Sequence, residues 1–342
     1  MLNCRTCKSS ELDKVEHLSY NFMGTRDDFM WNNYFCNNCG SLSHFIKDNS
    51  MAVNYSDSSY RTGKKSFYPP ISLPWSEITY KRHENIFTKL NPYLKKYLLQ
   101  HQINILDFGG YNGFTSYGLK QRIPNSKVTV ADLDLNGLKI ANAIGLESIN
   151  LNKEEIIQNL HNVCIISHVL EHLEDPINVL SKLNSNLSEN CIFYLEVPNL
   201  YGFPFSDESH LMSFSSKGFF ETITQSGLEI IEIGYSTTPK SSVLYEYPLA
   251  NSQENFYAIC IGNNFYGKQN ISKFVDEFKK DVPLDKKTFL RKVKITNLKL
   301  GLITIRNNTF AAFSFVFKAF ISLLKLILPK LIIDSFKDLV RR

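Results

Sequence analysis

The sequence predicts an α/β fold: a doubly wound, mainly parallel seven-stranded sheet, with a small N-terminal Cys4 module and a helical, basic C-terminal tail. Three observations predict it. Asn104-Ile-Leu-Asp-Phe-Gly-Gly-Tyr-Asn-Gly113 reads as a short buried strand that ends in an acid and breaks into a glycine-rich turn. From Ile103 onward, apolar runs alternate with helix-like segments, the pattern of a parallel sheet covered by helices on both faces. Near the start, Cys4-Arg-Thr-Cys7 and Cys36-Asn-Asn-Cys39 form two C-x2-C pairs 28 residues apart.

A chain of 342 residues has ample length for a buried core and suggests two or three domains. The expected division is a Cys4 module over 1–50, a linker loop and helices over 51–102, the α/β domain over 103–265 and an amphipathic tail over 266–342. The start, Met1-Leu-Asn-Cys-Arg-Thr-Cys7, has no apolar run, so no secretory signal is expected there. Seven cysteines, four of them in close pairs, read as metal ligands in a reducing compartment rather than a disulfide framework, and a cytoplasmic location is expected. The net charge of +5 hides an asymmetry: from Asn264 onward 17 Lys/Arg face 6 Asp/Glu, so the basic character belongs to the tail.

Each C-x2-C pair makes a tight knuckle whose thiolates point at one ion, so Cys4, Cys7, Cys36 and Cys39 together suit a closed tetrahedral Zn2+ site. Such a site has no open position, and its role is structural. The aromatic stretch between the pairs reads as hairpins too small to fold unaided, which the ion would stabilise. Unrelated free thiols are the alternative. Residues 50–73, rich in Ser, Tyr, Asn and Pro, read as a surface loop with Tyr55, Tyr60 and Arg61 as substrate contacts, or as a solvated linker. Pro74 to Gln100 reads as helical, with an apolar stripe through Ile86, Leu90, Leu94 and Leu98 and a break near Asn91-Pro92.

The expected strands of the α/β domain are Asn104–Phe108, Lys127–Ala131, Ser148–Asn150, Val163–Ser167, Cys191–Val197, Leu228–Tyr235 and Asn255–Gly262. The expected helices are Gly113–Gln121, Asn136–Ile144, Pro176–Leu187 and Ser216–Ser226. Cys164, Cys191 and Cys260 lie in apolar strands and read as core. Ligands of such sheets bind at the carboxyl ends of the strands, which directs attention to the residues just after each one. These are Asp107, Gly109, Gly110 and Gly113 after the first strand, and Asp132 after the second, 19 residues beyond Gly113 and placed to accept ribose hydroxyls. Asp134 reads as the N-cap of the next helix. Ser167-His-Val-Leu-Glu-His-Leu-Glu-Asp-Pro176 follows the fourth strand and Glu196-Val-Pro-Asn199 the fifth. A dinucleotide site would read G-x-G-x-x-G, whereas Gly109 and Gly113 are separated by three residues, and Asp107 would repel a pyrophosphate. An acid there suits a cationic ligand, and S-adenosylmethionine carries a sulfonium and an amino group.

These residues carry a resemblance. Ile-Leu-Asp107-Phe-Gly109-Gly-Tyr-Asn-Gly113, Val-Ala-Asp132, the His168–Pro176 segment and Tyr-Leu-Glu196-Val-Pro-Asn199 resemble the class I S-adenosylmethionine-dependent methyltransferases, which have a Rossmann-like sheet, over roughly residues 103–260. With the cysteine module in front, the chain is similar to a bacterial group that includes sugar C-methyltransferases. The resemblance implies that Gly109 and Gly113 hold the turn against the cofactor and that Asp107 anchors its methionine amino end. By the same likeness Asp132 binds the ribose, Asn152 faces the adenine and His168 faces the cofactor cleft. Tyr111 stands where the family usually has a third glycine, and its side chain is expected to cover the cofactor.

His168-Val-Leu-Glu171-His172 also spells H-x-x-E-H, a metalloprotease signature that needs both histidines on one helical face. A strand end running into Asp175-Pro176 does not supply that face, and the bland role of Glu171 and His172 is to brace the turn. Methyl transfer needs a base only if the acceptor loses a proton. His210 is the first candidate base, a substrate or structural contact being its alternative role, with Glu208 as a substitute for a neighbouring Glu and Tyr60 as an outside candidate. The group's C-methyltransferases carry Glu next to that histidine, where this chain has Ser209.

Residues 310–340 are apolar with Lys318, Lys325 and Lys330 interspersed, too charged for a spanning helix. Such a segment either lies on an anionic membrane surface, at the inner face, or packs on the catalytic domain or on a second copy in a homo-oligomer. No nucleic-acid module is present in the sequence pattern, so no nucleic-acid partner is expected. The expected function is methyl transfer to a sugar or glycan intermediate, nucleotide-activated sugars included, of cell-envelope or secondary-metabolite biosynthesis. The alternative is a non-catalytic binding protein that keeps the fold and presents the module or tail to a partner.

Overall fold

A computed structural model describes residues 2–15, 31–46, 73–98, 101–153, 160–201, 210–236, 255–262, 265, 278 and 286–288. Tyr60, Glu208, residues 51–72 and the 310–340 segment lie outside the described residues. The chain divides into two units, Met1–Lys286 and Lys287–Arg342.

The N-terminal part supplies β1 (Leu12–Val15), β2 (Trp31–Cys36) and β3 (Leu42–Ile46). Then comes α1 (Leu73–Tyr97), followed by β4 (Asn104–Phe108), α2 (Phe114–Arg122), β5 (Lys127–Asp132), α3 (Leu135–Ala143) and β6 (Glu147–Asn150). The second half of the domain is β7 (Val163–Ser167), α4 (Pro176–Asn186), β8 (Ile192–Pro198), β9 (Met212–Ser213), α5 (Ser216–Gln225), β10 (Leu228–Ser236) and β11 (Asn255–Gly262). The helices begin where the sequence provides side-chain caps. Asp134 accepts from the amides of Asn136 and Gly137, Asp175 from Asn178 ahead of Pro176, and Ser215 from Gly218.

Seven strands form one sheet in the order β10-β11-β8-β7-β4-β5-β6. The run β8-β7-β4-β5-β6 is parallel, and β11 is antiparallel to both neighbours. The chain steps outward from β4 to β6 and then returns to the other side of β4 as β7. The strand order therefore reverses between β4 and β7, which opens a crevice at their carboxyl ends. Alternate residues serve opposite faces. Leu106, Cys164, Ile166, Phe193 and Leu195 pack with Leu180, Leu183, Phe219 and Ile223 of α4 and α5. Ile105, Val128, Val130, Ile165 and Tyr194 pack with α1, α2 and α3 through Ile86, Leu90, Leu119 and Leu138. Cys164, Cys191 and Cys260 are buried in strands or at a strand end, as the sequence indicated.

One local expectation is corrected. Residues 91–92 do not break the helix: Pro92 lies inside α1. The proline is on the exposed face, so water can satisfy the carbonyl that its missing N–H would have bonded. Meanwhile Ile86, Leu90, Leu94 and Leu98 bury one continuous stripe across it.

The second sheet contains the hairpin that the sequence suggests between the cysteine pairs, but the strand that completes it is not legible there. Its order is β1-β2-β3-β9, all antiparallel, so a two-residue strand from beyond β8 completes the N-terminal sheet. The N-terminal strands are thereby part of the same unit as the large sheet.

Candidate active site and metal centre

The turn after β4 is built from three left-handed residues, Gly109 (φ 77°), Tyr111 (φ 51°) and Gly113 (φ 72°). A Cβ on Gly109 would stand 2.4 Å from Val169 Cγ2, and one on Gly110 would stand 2.3 Å from Asp107 Oδ2. The glycines thus let the turn close on the protein itself, and Gly109 brings the β7 exit segment into contact with the β4 turn. Tyr111 takes the left-handed backbone without being glycine, which is a strained choice. Its ring rests on α3 where Gly137 leaves room: a Cβ there would lie 2.5 Å from Tyr111 Cδ2.

Asp132 holds this turn with both oxygens. Oδ2 accepts from the Tyr111 amide at 2.8 Å and Oδ1 from the Asp134 amide at 2.8 Å. Asp107 is 6% exposed and accepts a hydrogen bond from Ser116 Oγ at 2.6 Å. Burial pushes its carboxyl up to about 6, against the Ser116 hydrogen bond and with the help of the negative Asp132 nearby. A cation brought to this crevice would relieve two crowded carboxylates. Asn152 is exposed, and its amide donates to Leu133 O at 2.8 Å and Asn150 Oδ1 at 3.2 Å, tying the end of β6 to the segment after Asp132.

The other wall of the crevice follows β7. His168 has φ 57°, and its amide donates to Glu196 O at 2.9 Å. Its Nδ1 lies 3.4 Å from Glu171 Oε1, and its Nε2 is buried with no hydrogen-bond partner among the described residues. The segment continues as a 3-10 turn over Leu170–His172 rather than an α-helix, so the H-x-x-E-H pattern has no helical face for a peptidase zinc. Glu171 is 1% exposed, with His172 Nε2 at 3.9 Å. The His172 and His210 rings meet edge-on at 4.7 Å, and the Leu211 amide donates to Glu171 O at 2.7 Å. Burial alone would raise Glu171, but His168 Nδ1 at 3.4 Å and the charges of His172 and His210 hold it down to about 2. The carboxylate stays ionised among three imidazoles.

The fold brings His210 to His172 and Glu171, 38 residues away in sequence, and sets all three beside the segment that touches Gly109. Sequence reasoning gave His172 only a bracing role. Glu196, which the sequence places in the motif at the end of β8, is 2% exposed and accepts from Ser167 Oγ at 2.8 Å and from Ser236 Oγ, and so fixes the ends of β7, β8 and β10. Its bracing role was not readable from the motif, because both partners lie on other strands.

The four N-terminal thiols converge. Cys4 and Cys39 Sγ are 3.7 Å apart, Cys7 and Cys36 Sγ 3.6 Å, and all four are buried within 4.8 Å of one another. Four sulfurs at about 2.3 Å from one tetrahedral ion would stand about 3.8 Å apart, so this set fits a closed ion site. Thr6 Oγ1 lies 3.2 Å from both Cys4 and Cys39 Sγ, and Asn38 Nδ2 is 3.5 Å from Cys7 Sγ. Crowding splits the thiols: hydrogen bonds from Cys36 and Cys39 bring Cys7 down to about 7, while donation to Cys36 pushes Cys39 well up. Without a shared cation the four cannot all ionise.

Residues 79–233 match the model of a methyltransferase-domain family. The match runs from α1 into β10 and takes in the glycine turn, Asp132 and the His168–His210 wall. Residues 79–233 thus correspond to a methyltransferase domain. No curated protein matches the sequence. Among solved structures, the plantazolicin methyltransferase BpumL in complex with S-adenosylhomocysteine is 16% identical with a TM-score of 0.42, over 60% of this chain and 93% of its own. A SAM-dependent methyltransferase from Archaeoglobus fulgidus is 15% identical with a TM-score of 0.40, over 52% and 94%. Another from Mesorhizobium loti is 15% identical with a TM-score of 0.38, over 47% and 91%.

Proposed function

We propose that this methyltransferase acts on a sugar or glycan intermediate, nucleotide-activated sugars included, and that the acceptor sits between the methyltransferase turn and the histidine wall. The observation that carries this reading is the contact of the Gly109 turn with the β7 exit, which sets two carboxylates on one side of a crevice and three imidazoles on the other. Bound S-adenosylmethionine supplies a methyl group already activated on a positive sulfur. Asp107 attracts its amino group, Asp132 receives its ribose hydroxyls, and Gly109, Gly110 and Gly113 shape the turn beneath it. Much of the remaining work is to hold an acceptor oxygen or carbon in line and dry. His210 takes the acceptor's proton, with His172 against it and the Glu171 carboxylate beside both. Tyr60 and Glu208, outside the described residues, complete the acceptor side in this proposal.

In the same reading Cys4, Cys7, Cys36 and Cys39 hold Zn2+ in a structural role, and the protein works in the cytoplasm, where free thiols persist. No helix among the described residues is long and apolar enough to cross a membrane. Contact with the inner membrane face through 310–340 is tested by liposome flotation of intact and truncated chains. The substrate class is tested by following labelled methyl from S-adenosylmethionine into a panel of nucleotide sugars and lipid-linked glycans. Saturable transfer that is lost in His210→Ala supports the reading. Transfer to small phenols or amines but to no sugar would overturn it.

A further inference from the structure

We propose that the Cys4 module sets the position of the acceptor-side histidine, and that His44 and Ser213 are positioning residues for His210. This rests on the role given to His210 above. His210 begins a short strap, residues 210–215, that carries β9 and runs into α5. Leu211, the residue after His210, is held from two sides. Its amide donates to Glu171 O at 2.7 Å, within the methyltransferase domain, and its carbonyl accepts from the His44 amide at 2.9 Å, from β3 of the module.

Beyond these, the Phe214 carbonyl accepts from the Leu200 amide at 2.9 Å, after β8, and the other side-chain and strand anchors of the strap come from the module. β9 pairs with β3 through Leu42–Ser213 and Ser43–Met212. His44, 2% exposed, places Nε2 at 3.1 Å from Ser213 Oγ and Nδ1 at 2.7 Å from Asn33 Oδ1. An amide oxygen only accepts, so Nδ1 carries the proton and Nε2 accepts from the Ser213 hydroxyl. Ser215 Oγ donates to Cys39 O at 2.5 Å, and the Ser215 amide donates to Ser41 Oγ at 3.0 Å. From α5, Thr222 Oγ1 donates to Thr6 O at 2.9 Å. Both cysteine knuckles are therefore bonded to the strap or to the helix it starts.

A strand of two residues has no stability of its own, so β9 exists because β3 is there to pair with it. β3 in turn belongs to a sheet too small to stand without its thiol cluster. None of these bonds reaches Asp107, Gly109, Gly110, Gly113 or Asp132, which are held by β4, β5 and α2. The module thus governs the acceptor side of the crevice and leaves the cofactor side alone. Misplacement of a reacting group by about 1 Å reduces transfer up to about a hundredfold.

The test uses the full-length, metal-loaded protein and the variants Ser213→Ala, Ser213→Thr and His44→Leu. Ser213→Ala is expected to lower kcat about tenfold with the cofactor Kd unchanged within twofold and metal content unchanged. Ser213→Thr, which keeps the hydroxyl, should restore kcat to within about twofold. His44→Leu should raise amide exchange over 210–215 at least tenfold while leaving 107–113 unchanged, a readout that stands even if no acceptor is turned over. Equal loss of cofactor affinity and kcat, unchanged kcat in Ser213→Ala, or exchange that rises equally at 107–113 would overturn the proposal. An intact protein that transfers to no sugar, with the exchange result as expected, would instead sink the substrate reading and leave the mechanical link standing.

Discussion

Replacing Asp107 by asparagine should make the protein more stable at neutral pH and worse at binding its cofactor. Asp107 is pushed from an ordinary 3.8 up to about 6, by burial first, with Asp132 adding to it. Between those two values the native state binds more protons than the unfolded chain, so stability falls as pH rises from about 4 to 6. A gap of about two pH units at about 1.36 kcal/mol each makes about 3 kcal/mol. A neutral amide in place of the carboxylate suffers no such loss, and its oxygen still accepts from Ser116. The variant should gain about 1–3 kcal/mol at pH 7.5 and almost nothing at pH 4.5. Glu171 does not blur the comparison, because its depressed value puts its own linkage between about 2 and 4.5, where stability is lost as pH falls. Urea unfolding of both proteins at pH 4.5 and 7.5 measures the difference of differences. Calorimetry at pH 7.5 should show cofactor binding at least tenfold weaker, the trade of function for stability expected where a buried charge serves a ligand. Parallel losses of stability in the two proteins between the two pH values would refute the reasoning, because the charge at Asp107 would then contribute nothing.

Further outcomes follow from other parts of the molecule. Gly137→Ala places a Cβ about 2.5 Å from the Tyr111 ring and should destabilise by about 1–3 kcal/mol, while the double variant with Tyr111→Gly should recover most of that loss in thermal melts. Glu171→Gln leaves three imidazoles around a neutral amide and should slow methyl transfer about a hundredfold with cofactor affinity unchanged within twofold, as single-turnover assays would show. Cys4→Ser should lower bound zinc from one equivalent to well below a half by metal analysis, and unchanged content would remove the zinc assignment.

What was legible in the sequence was what is local. β4, β7 and β11 begin and end where the apolar runs do, because a strand buried on both faces leaves a continuous signature. Asp134 was readable as a cap because its partners are two and three residues away. The α1 stripe is readable too, yet the sequence suggests a break at Pro92, because the exposure of that proline depends on which face the sheet covers. Nothing local announces β9: two residues become a strand only through β3, more than 160 positions earlier. Tyr111 stands in the sequence as a departure from a usual glycine, and the room for its ring lies at Gly137, on another element. His210 was singled out from its neighbours in the chain, but its partners His172 and Glu171 arrive only through the reversal of strand order at β4 and β7.

The most direct test of the account is isothermal calorimetry of the full-length protein with S-adenosylmethionine. Saturable binding of one equivalent per chain, strengthening as pH rises through about 6 and lost in Asp132→Ala, is the result expected. No binding at millimolar cofactor, or binding indifferent to Asp132, would contradict it.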